Sequence, residues 1–224
     1  MIDFKPYLLK IEQEIQSFCE QKKKIFATTS CQTNSVVLLH IISKFAPQTP
    51  VYLLNTGFLF PETLSFRSDL AELFGLNIHL LRGQLSLHQQ KNASDRFLFT
   101  SDPDFCCHIN KVAPLEPILL TFDLWINGVR GSQSSTRAQM GRTQQIQNGV
   151  LRYHPILDWD ARMVHYYIEQ NNLPRHPLDG EGYKSIGCRP CTRKWSDDLD
   201  GRGGRWQGMN KTECGLHTTL GGKA

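Results

Sequence analysis

The chain has 224 residues, 40% of them hydrophobic and 21% charged, enough to bury one sizeable core and balanced like an ordinary globular protein. A net charge of +4 demands no nucleic-acid partner and suits a small anionic ligand. No apolar run reaches membrane-spanning length, and the opening Met-Ile-Asp-Phe-Lys lacks the basic head and apolar core of a secretory signal, so no membrane partner and a reducing, cytoplasmic location are expected.

Leu8, Ile11, Ile15 and Phe18 fall at helical spacing and predict an amphipathic helix. Residues 25–29 read as a strand, followed by a polar loop and a helix beginning near Ser35. A second strand is predicted at 51–55, and then a helix opened by Pro61 and ended by Gly75. Residues 77–81 form the third predicted strand. A helix around 105–120, interrupted at Pro114 and Pro117, leads to a strand at 124–129. A fifth strand is expected at 151–155, with Asp158 capping a helix that runs to about Gln170.

Strands separated by helices imply an α/β fold, a mostly parallel twisted sheet flanked by helices on both faces. Such sheets bind ligands beyond the carboxyl ends of their strands, so the loops after Thr29, Asn55 and Val129 should converge on one site. From about Pro174 the pattern changes to a loop carrying a C-x-x-C. From Gly201 onward lie seven of the chain's 17 glycines, with little apolar periodicity, and a mobile C-terminal segment is expected there. The expected division is therefore 1–194 for a ligand-binding α/β domain with its N-terminal helix and 195–224 for a flexible C-terminal segment.

The turn Thr28-Thr29-Ser30-Cys31-Gln32-Thr33-Asn34-Ser35 joins a strand to a helix N-terminus. Unpaired backbone N–H groups and hydroxyls there suit phosphate or sulfate, although plain N-capping by Ser30 or Ser35 reads equally well. The turn has no G-K-[ST]. Ser30 and Ser35 stand at the ends of a loop like that of ATP pyrophosphatases, but Cys31-Gln32 replaces its glycines, pointing to a relative that does not cleave ATP.

Seven cysteines in a reducing compartment need a reason other than disulfides. Cys106-Cys107 and Cys188-x-x-Cys191 read as a metal site. Zinc competes with an iron–sulfur cluster, yet two adjacent side chains diverge too far to clasp one small ion and could each reach a different iron. A buried core role for the vicinal pair is the bland alternative. Cys214 stands apart in the glycine-rich segment, between Lys211 and His217, with Arg202 and Arg205 upstream; cationic neighbours favour a thiolate, and Glu213 works against it.

Asn55-Thr-Gly-Phe-Leu-Phe-Pro-Glu-Thr63, Cys106-Cys107 with Lys111, Trp125-Ile-Asn-Gly-Val-Arg130 with Thr136-Arg137, Gly187-Cys-Arg-Pro-Cys-Thr192, Gly204-Arg-Trp206 and Lys211-Thr-Glu-Cys-Gly-Leu-His217 together resemble one family. It is the assimilatory adenylyl-sulfate and phosphoadenylyl-sulfate reductases, in the branch that carries a [4Fe–4S] cluster. The resemblance runs from about residue 25 to 217 and implies a fold of the adenine-nucleotide alpha-hydrolase type. It implies that Cys214 attacks the sulfate sulfur of adenylyl sulfate, or of its 3′-phosphorylated form, and that thioredoxin or glutaredoxin then releases sulfite. It assigns a [4Fe–4S] cofactor to Cys106, Cys107, Cys188 and Cys191. Substrate contacts are implied for Ser30, Ser35, Leu54, Gly57, Lys111, Arg130, Arg137, Arg202, Arg205 and His217. Whether the chain forms a homo-oligomer is left open.

Asn34, Asn55, Asn110 and Gly131 depart from that family's commonest residues, Gly131 standing where a second arginine is usual and so favouring the nucleotide without a 3′-phosphate. Lys22-Lys23-Lys24 could compensate if it folds toward the site. An ATP-using thiolation enzyme is a rival reading that would want the intact glycine-rich loop. A nucleotide- or redox-sensing homologue without activity is another, motivated by the asparagines.

Overall fold

A computed structural model describes residues 2–146, 149–195, 204–209, 211, 213–218 and 220, with only the backbone of 217 and 218. Pro6 opens the first helix, α1 (Lys5–Glu20), which buries Ile11 and Ile15 as the spacing predicted. Then follow β1 (Ile25–Thr29), α2 (Thr33–Phe45), β2 (Val51–Leu54), α3 (Pro61–Phe74) and β3 (Ile78–Leu81). Gly75 ends α3 in the left-handed region at φ 61°, donating its N–H to Ala71 and Glu72 carbonyls, a conformation that favours a residue without Cβ.

Two short helices, α4 (Leu98–Ser101) and α5 (Pro103–Cys107), run into a π turn at His108–Val112 and then α6 (Ala113–Leu119). The break in this region therefore precedes Pro114 instead of falling at the two prolines. Pro114 sits in the first turn of α6, where its missing N–H costs nothing, and Pro117 is carried inside the helix. The wider π turn carries Lys111.

The chain continues through β4 (Leu124–Asn127), α7 (Ser135–Ala138), β5 (Thr143–Gln145), β6 (Leu151–Tyr153), α8 (Ala161–Gln170) and α9 (Gly215–Thr218). Asp160, not Asp158, caps α8, its carboxylate accepting from the Met163 amide at 2.7 Å; Asp158 instead pairs with Arg142. The polar strand β5 was not visible in the hydrophobic pattern because it is an exposed edge, antiparallel to β6.

The six strands lie in the order β3-β2-β1-β4-β6-β5, parallel except at β5. One core forms where α1, α2, α3 and α8 meet one face of the sheet, with Val36, Leu39, Ile126 and Tyr153 inside it. A smaller core on the other face gathers Phe26, Val112, Leu115 and Trp125, with Leu216 against it. The chain leaves β1 toward β2 and returns to the other side of β1 as β4. The carboxyl ends of β1 and β4 thus flank the crevice where such sheets take ligands. Lys22–Lys24 precede β1 and lie at the opposite, amino end.

Candidate active site

The crevice opens into a cavity of about 1210 Å³, walled by the Thr28–Ser35 turn, the end of β4, the Lys111 turn, the Ile186–Cys188 stretch and the Cys214 segment. Ser30 and Ser35, both on its wall, bond each other through their hydroxyls at 2.7 Å. Between them Cys31 takes φ 51° and is fully buried. Its thiol is pushed up to about 12, chiefly by burial. The loop after Thr29 is held from below: Thr33 donates to Asp179, the His176 amide donates to the Thr33 hydroxyl at 2.9 Å, and the Ile186 amide donates to Gln32 at 3.0 Å. Residues 176–186 are thereby stitched to the first turn of α2.

Cys214 meets the cavity from the far side of the sheet, where the Lys111 Nζ lies 3.7 Å from its sulfur. Burial pushes the thiol up, but Lys111, the Leu216 amide and Arg205 more than offset this, and the net shift is downward. Burial likewise opposes the charge on Lys111, yet the sulfurs of Cys214, Cys188 and Cys107 hold it more firmly protonated than a lysine in water. A buried ammonium beside a sulfur is the arrangement that yields a thiolate at neutral pH. Arg205 is laid over the Trp206 ring at 4.5 Å and donates to the Cys191 carbonyl at 3.2 Å. A Cβ at Gly187 would meet its guanidinium, so a larger residue there would push Arg205 aside.

The neighbour of the nucleophile candidate is clamped. Arg137 donates to both oxygens of Glu213, at 3.0 and 2.8 Å, and Ser134 donates to the same carboxylate at 3.1 Å. Both side chains of this pair are less than a tenth exposed. Glu213 in turn accepts from the Cys214 amide at 3.0 Å. On the other side of Cys214, Lys211 pairs with Asp104 on α5. Breaking a buried ion pair by removing one charge costs about 3–5 kcal/mol. Glu213→Gln is therefore expected to free the Cys214 segment, read as faster tryptic cleavage after Arg205 and Lys211; wild-type cleavage rates would show that the pair does not hold it.

Four sulfurs gather beside Lys111 from two segments of chain. Cys106, Cys107 and Cys188 are buried, and none of the seven cysteines forms a disulfide. Burial first, and then the charges of the neighbouring sulfurs, push Cys106 up to about 12 and Cys191 up to about 11, and Cys107 is raised as well. Thr56 Oγ1 lies 3.2 Å from the Cys188 sulfur, and Asn110 Nδ2 reaches that of Cys106 at 3.7 Å. Burial holds Cys106, Cys107 and Cys191 as thiols, which would lose their protons on taking up a cation. The spread of the sulfurs over two segments suits a polynuclear one, with these polar groups as its outer contacts. Among the described residues, no three His, Cys, Asp or Glu side chains could hold a single metal ion.

Of the residues singled out in the sequence, Ser30, Ser35, Leu54, Lys111, Arg130, Arg137, Arg205, Cys188 and Cys214 all line the cavity. Gly57 does not: its φ of 76° turns the chain toward Leu87, and the next carbonyl, of Phe58, accepts from the Arg189 amide. Arg202 and the side chain of His217 lie outside the described residues. Gly131 also stands back, since a Cβ there would meet the Leu157 carbonyl at 3.4 Å and Ala138 at 3.6 Å, outside the cavity wall. Asn110 is locked in a reciprocal amide pair with buried Gln90, at 2.7 and 3.1 Å, so this departure from the family pattern is internally matched.

Sequence reasoning missed Asn127 and Arg152. Asn127, at the carboxyl end of β4, is 5% exposed, lines the cavity and finds no partner for either amide atom among the described residues. Arg130, beside it, likewise leaves Nε without a partner there. A buried amide of this kind calls for a ligand or water, and its only sequence signal was its place at a strand end next to the switch point.

A family profile described as "Phosphoadenosine phosphosulfate reductase domain" matches residues 24–194, which include both cysteine pairs but end before Cys214. The adenosine 5′-phosphosulfate reductase of Rhodococcus erythropolis is 38% identical over 82% of this chain and 74% of its own length. The phosphoadenosine 5′-phosphosulfate reductase of Gloeobacter violaceus is 38% identical over 87% of this chain and 82% of its own. In fold the chain resembles the crystal structure of phosphoadenylyl-sulfate reductase from Candida auris in a phosphate complex. That likeness has a TM-score of 0.65 at 22% identity, over 80% of this chain and 88% of the other.

Proposed function

The chain belongs to the phosphoadenosine phosphosulfate reductase family, and on that premise we propose that it reduces adenylyl sulfate to sulfite and AMP through Cys214. The observation that carries the reading is the Cys214 sulfur, held 3.7 Å from the buried Lys111 ammonium on the wall of the cavity at the carboxyl ends of β1 and β4. Loss of a proton leaves a thiolate, which attacks the sulfate sulfur as the bond from sulfur to the phosphate oxygen breaks. The electron pair of that bond leaves with AMP. Lys111, Arg130 and Arg205 supply cationic partners for the charge that develops there, where such partners count most.

The product on the chain is an S-sulfocysteine at Cys214. A dithiol protein, thioredoxin or glutaredoxin, would attack the Cys214 sulfur, expel sulfite with the electron pair of the S–S bond, and resolve the mixed disulfide with its second thiol. The two steps place opposite demands on Cys214: it must be enclosed with the nucleotide and then exposed to a protein. We assign these to movement of the segment 195–224 on the domain 1–194, the tail being held shut by the Arg137–Glu213 pair.

Cys106, Cys107, Cys188 and Cys191 would hold a [4Fe–4S] cluster, which supplies fixed charge beside the substrate. Their burial, their closeness to one another and the adjacent Lys111 support this assignment. A cytoplasmic location agrees with this thiol chemistry, and no described helix is long and apolar enough to cross a membrane.

The choice of adenylyl sulfate over its 3′-phosphorylated form rests on the resemblance: four-cysteine members of the family mostly use the former. A Cβ at Gly131 would point toward Leu157 and Ala138, and Lys22–Lys24 sit at the opposite end of the sheet from the cavity. The phosphorylated nucleotide is the second reading, favoured by the similarity to the Gloeobacter violaceus relative. Steady-state sulfite release with thioredoxin, from protein handled without oxygen, separates the two. On that resemblance, kcat/KM for adenylyl sulfate is expected to exceed that for the phosphorylated nucleotide. A preference for the phosphorylated nucleotide reverses the substrate assignment, and no sulfite from either returns the chain to a sensing role.

A further inference from the structure

Arg152 occupies the middle of β6 with no exposed surface. An arginine is costly to enclose in a parallel sheet and is kept there only where something needs its donors. Its register partner on β4 is Trp125, and the guanidinium lies 4.2 Å from that ring's centroid. From there its Nη2 donates to the carbonyl of Leu216 at 2.9 Å. Burial and the nearby Arg137 push its pKa down to about 10, against the pull of Cys214, which leaves it charged at neutral pH.

Leu216 is two residues past Cys214 in the single helical turn Gly215–Thr218, and its amide is one of the groups that hold the Cys214 thiol down. The same residue thus faces the sulfur with its N–H and the sheet with its C=O. Trp125, over which Arg152 is stacked, donates from Nε1 to the Thr28 hydroxyl at 2.8 Å, and Thr28 is part of the cavity wall. A continuous run of contacts therefore joins the Cys214 turn, through the centre of the sheet, to the nucleotide side of β1.

We propose that Arg152 is a positioning residue for the nucleophile: by anchoring the Leu216 carbonyl it keeps the Gly215–Thr218 turn seated, so that Cys214 remains beside Lys111 at the cavity. The inference rests on the reading of Cys214 as nucleophile. It adds an anchor distinct from the Arg137–Glu213 clamp, acting on the other side of the cysteine and from a different strand.

The test uses the full chain with its cofactor loaded, as wild type, Arg152→Met and Arg152→Lys. Methionine fills a similar volume without a charge or a donor, and its flexible side chain adapts to the site. N-ethylmaleimide labelling is followed by mass spectrometry at Cys214 and at Cys31, near pH 9 so that the thiolate fraction matters less. Losing one charge-assisted hydrogen bond should speed labelling of Cys214 in Arg152→Met by about tenfold, with fully buried Cys31 unchanged. The kcat for sulfite should fall by about tenfold while the nucleotide KM stays within about twofold. Arg152→Lys, with the charge but without the planar fork, should label Cys214 about threefold faster than wild type, and it carries the test alone if the methionine chain does not fold.

Unchanged labelling of Cys214 overturns the proposal. So does equal acceleration at Cys214 and Cys31, which would make Arg152 a support of the whole fold. Labelling reads the position of the turn whether or not sulfite forms; a wild type that forms none would overturn the reductase reading and leave this test standing.

Discussion

Cys214→Ser is expected to abolish sulfite formation, by roughly 10⁴-fold or more, while leaving nucleotide binding and cofactor content intact. A serine hydroxyl beside Lys111 is far less acidic than the thiol and cannot form the thiosulfonate link from which a dithiol expels sulfite. Binding should survive because Cys214 is only one residue of a wall built mostly by the Thr28–Ser35 turn, the end of β4, and the Lys111 and Ile186–Cys188 stretches. The rival nucleophile is Cys31, which stands in the anion loop itself. Its thiol is fully buried and pushed up to about 12, against the downward shift at Cys214. Cys31→Ser should therefore retain most activity. Equal loss in both variants would point to a structural role for the two cysteines and remove the assignment. Isothermal titration with adenylyl sulfate alongside sulfite assays separates binding from chemistry in each case.

Replacing any one of Cys106, Cys107, Cys188 and Cys191 by serine is expected to lose most of the bound iron and about 4 kcal/mol or more of stability, the range reached when a metal site is removed. The reason lies in how the segment 186–192 is held. It is a short turn without a core of its own, tied down by the Arg189 amide on Phe58, the Ile186 amide on Gln32 and Thr192 on the Cys188 carbonyl. The sulfurs on it lie close enough to those of α5 to raise one another's pKa, so without a bound cation they stay protonated and nothing links the two segments. Wild-type protein prepared without oxygen should contain about four irons and four sulfides per chain, as [4Fe–4S] ligation requires. Stoichiometric zinc without iron would sink the cluster assignment and leave the reductase reading to stand on Cys214. Melting curves on each variant give the stability loss directly.

Much of the sheet was legible because its strands are apolar runs of four or five residues separated by helical periodicity: β1, β2, β3 and β4 lie within a residue or two of expectation. The edge strand β5 was not, since Thr143, Gln144 and Gln145 carry no apolar pattern and lie at the edge of the sheet, antiparallel to β6. The helix around Lys111 was foreseen but not its π turn, which depends on packing and not on the two prolines that mark the sequence. At the site, cysteine spacing and the stretch around Cys214 pointed to the residues that line the cavity. What spacing could not reveal was pairing across the fold. Arg137 looked like a free anion ligand and is spent largely on Glu213, a residue 76 positions away. Arg152 sits in mid-strand, where a polar residue gives no hint of which way it faces, and Asn127 was marked only by its place at the end of β4.

The most direct measurement is the mass of intact wild-type protein after adenylyl sulfate is added with no thioredoxin or other thiol present. A gain of one sulfo group, mapped by peptide fragmentation to Cys214 and removed on adding reduced thioredoxin with release of one sulfite, is the expected result. An unmodified chain under conditions where AMP is released, or an adduct on Cys31 instead, would contradict the account.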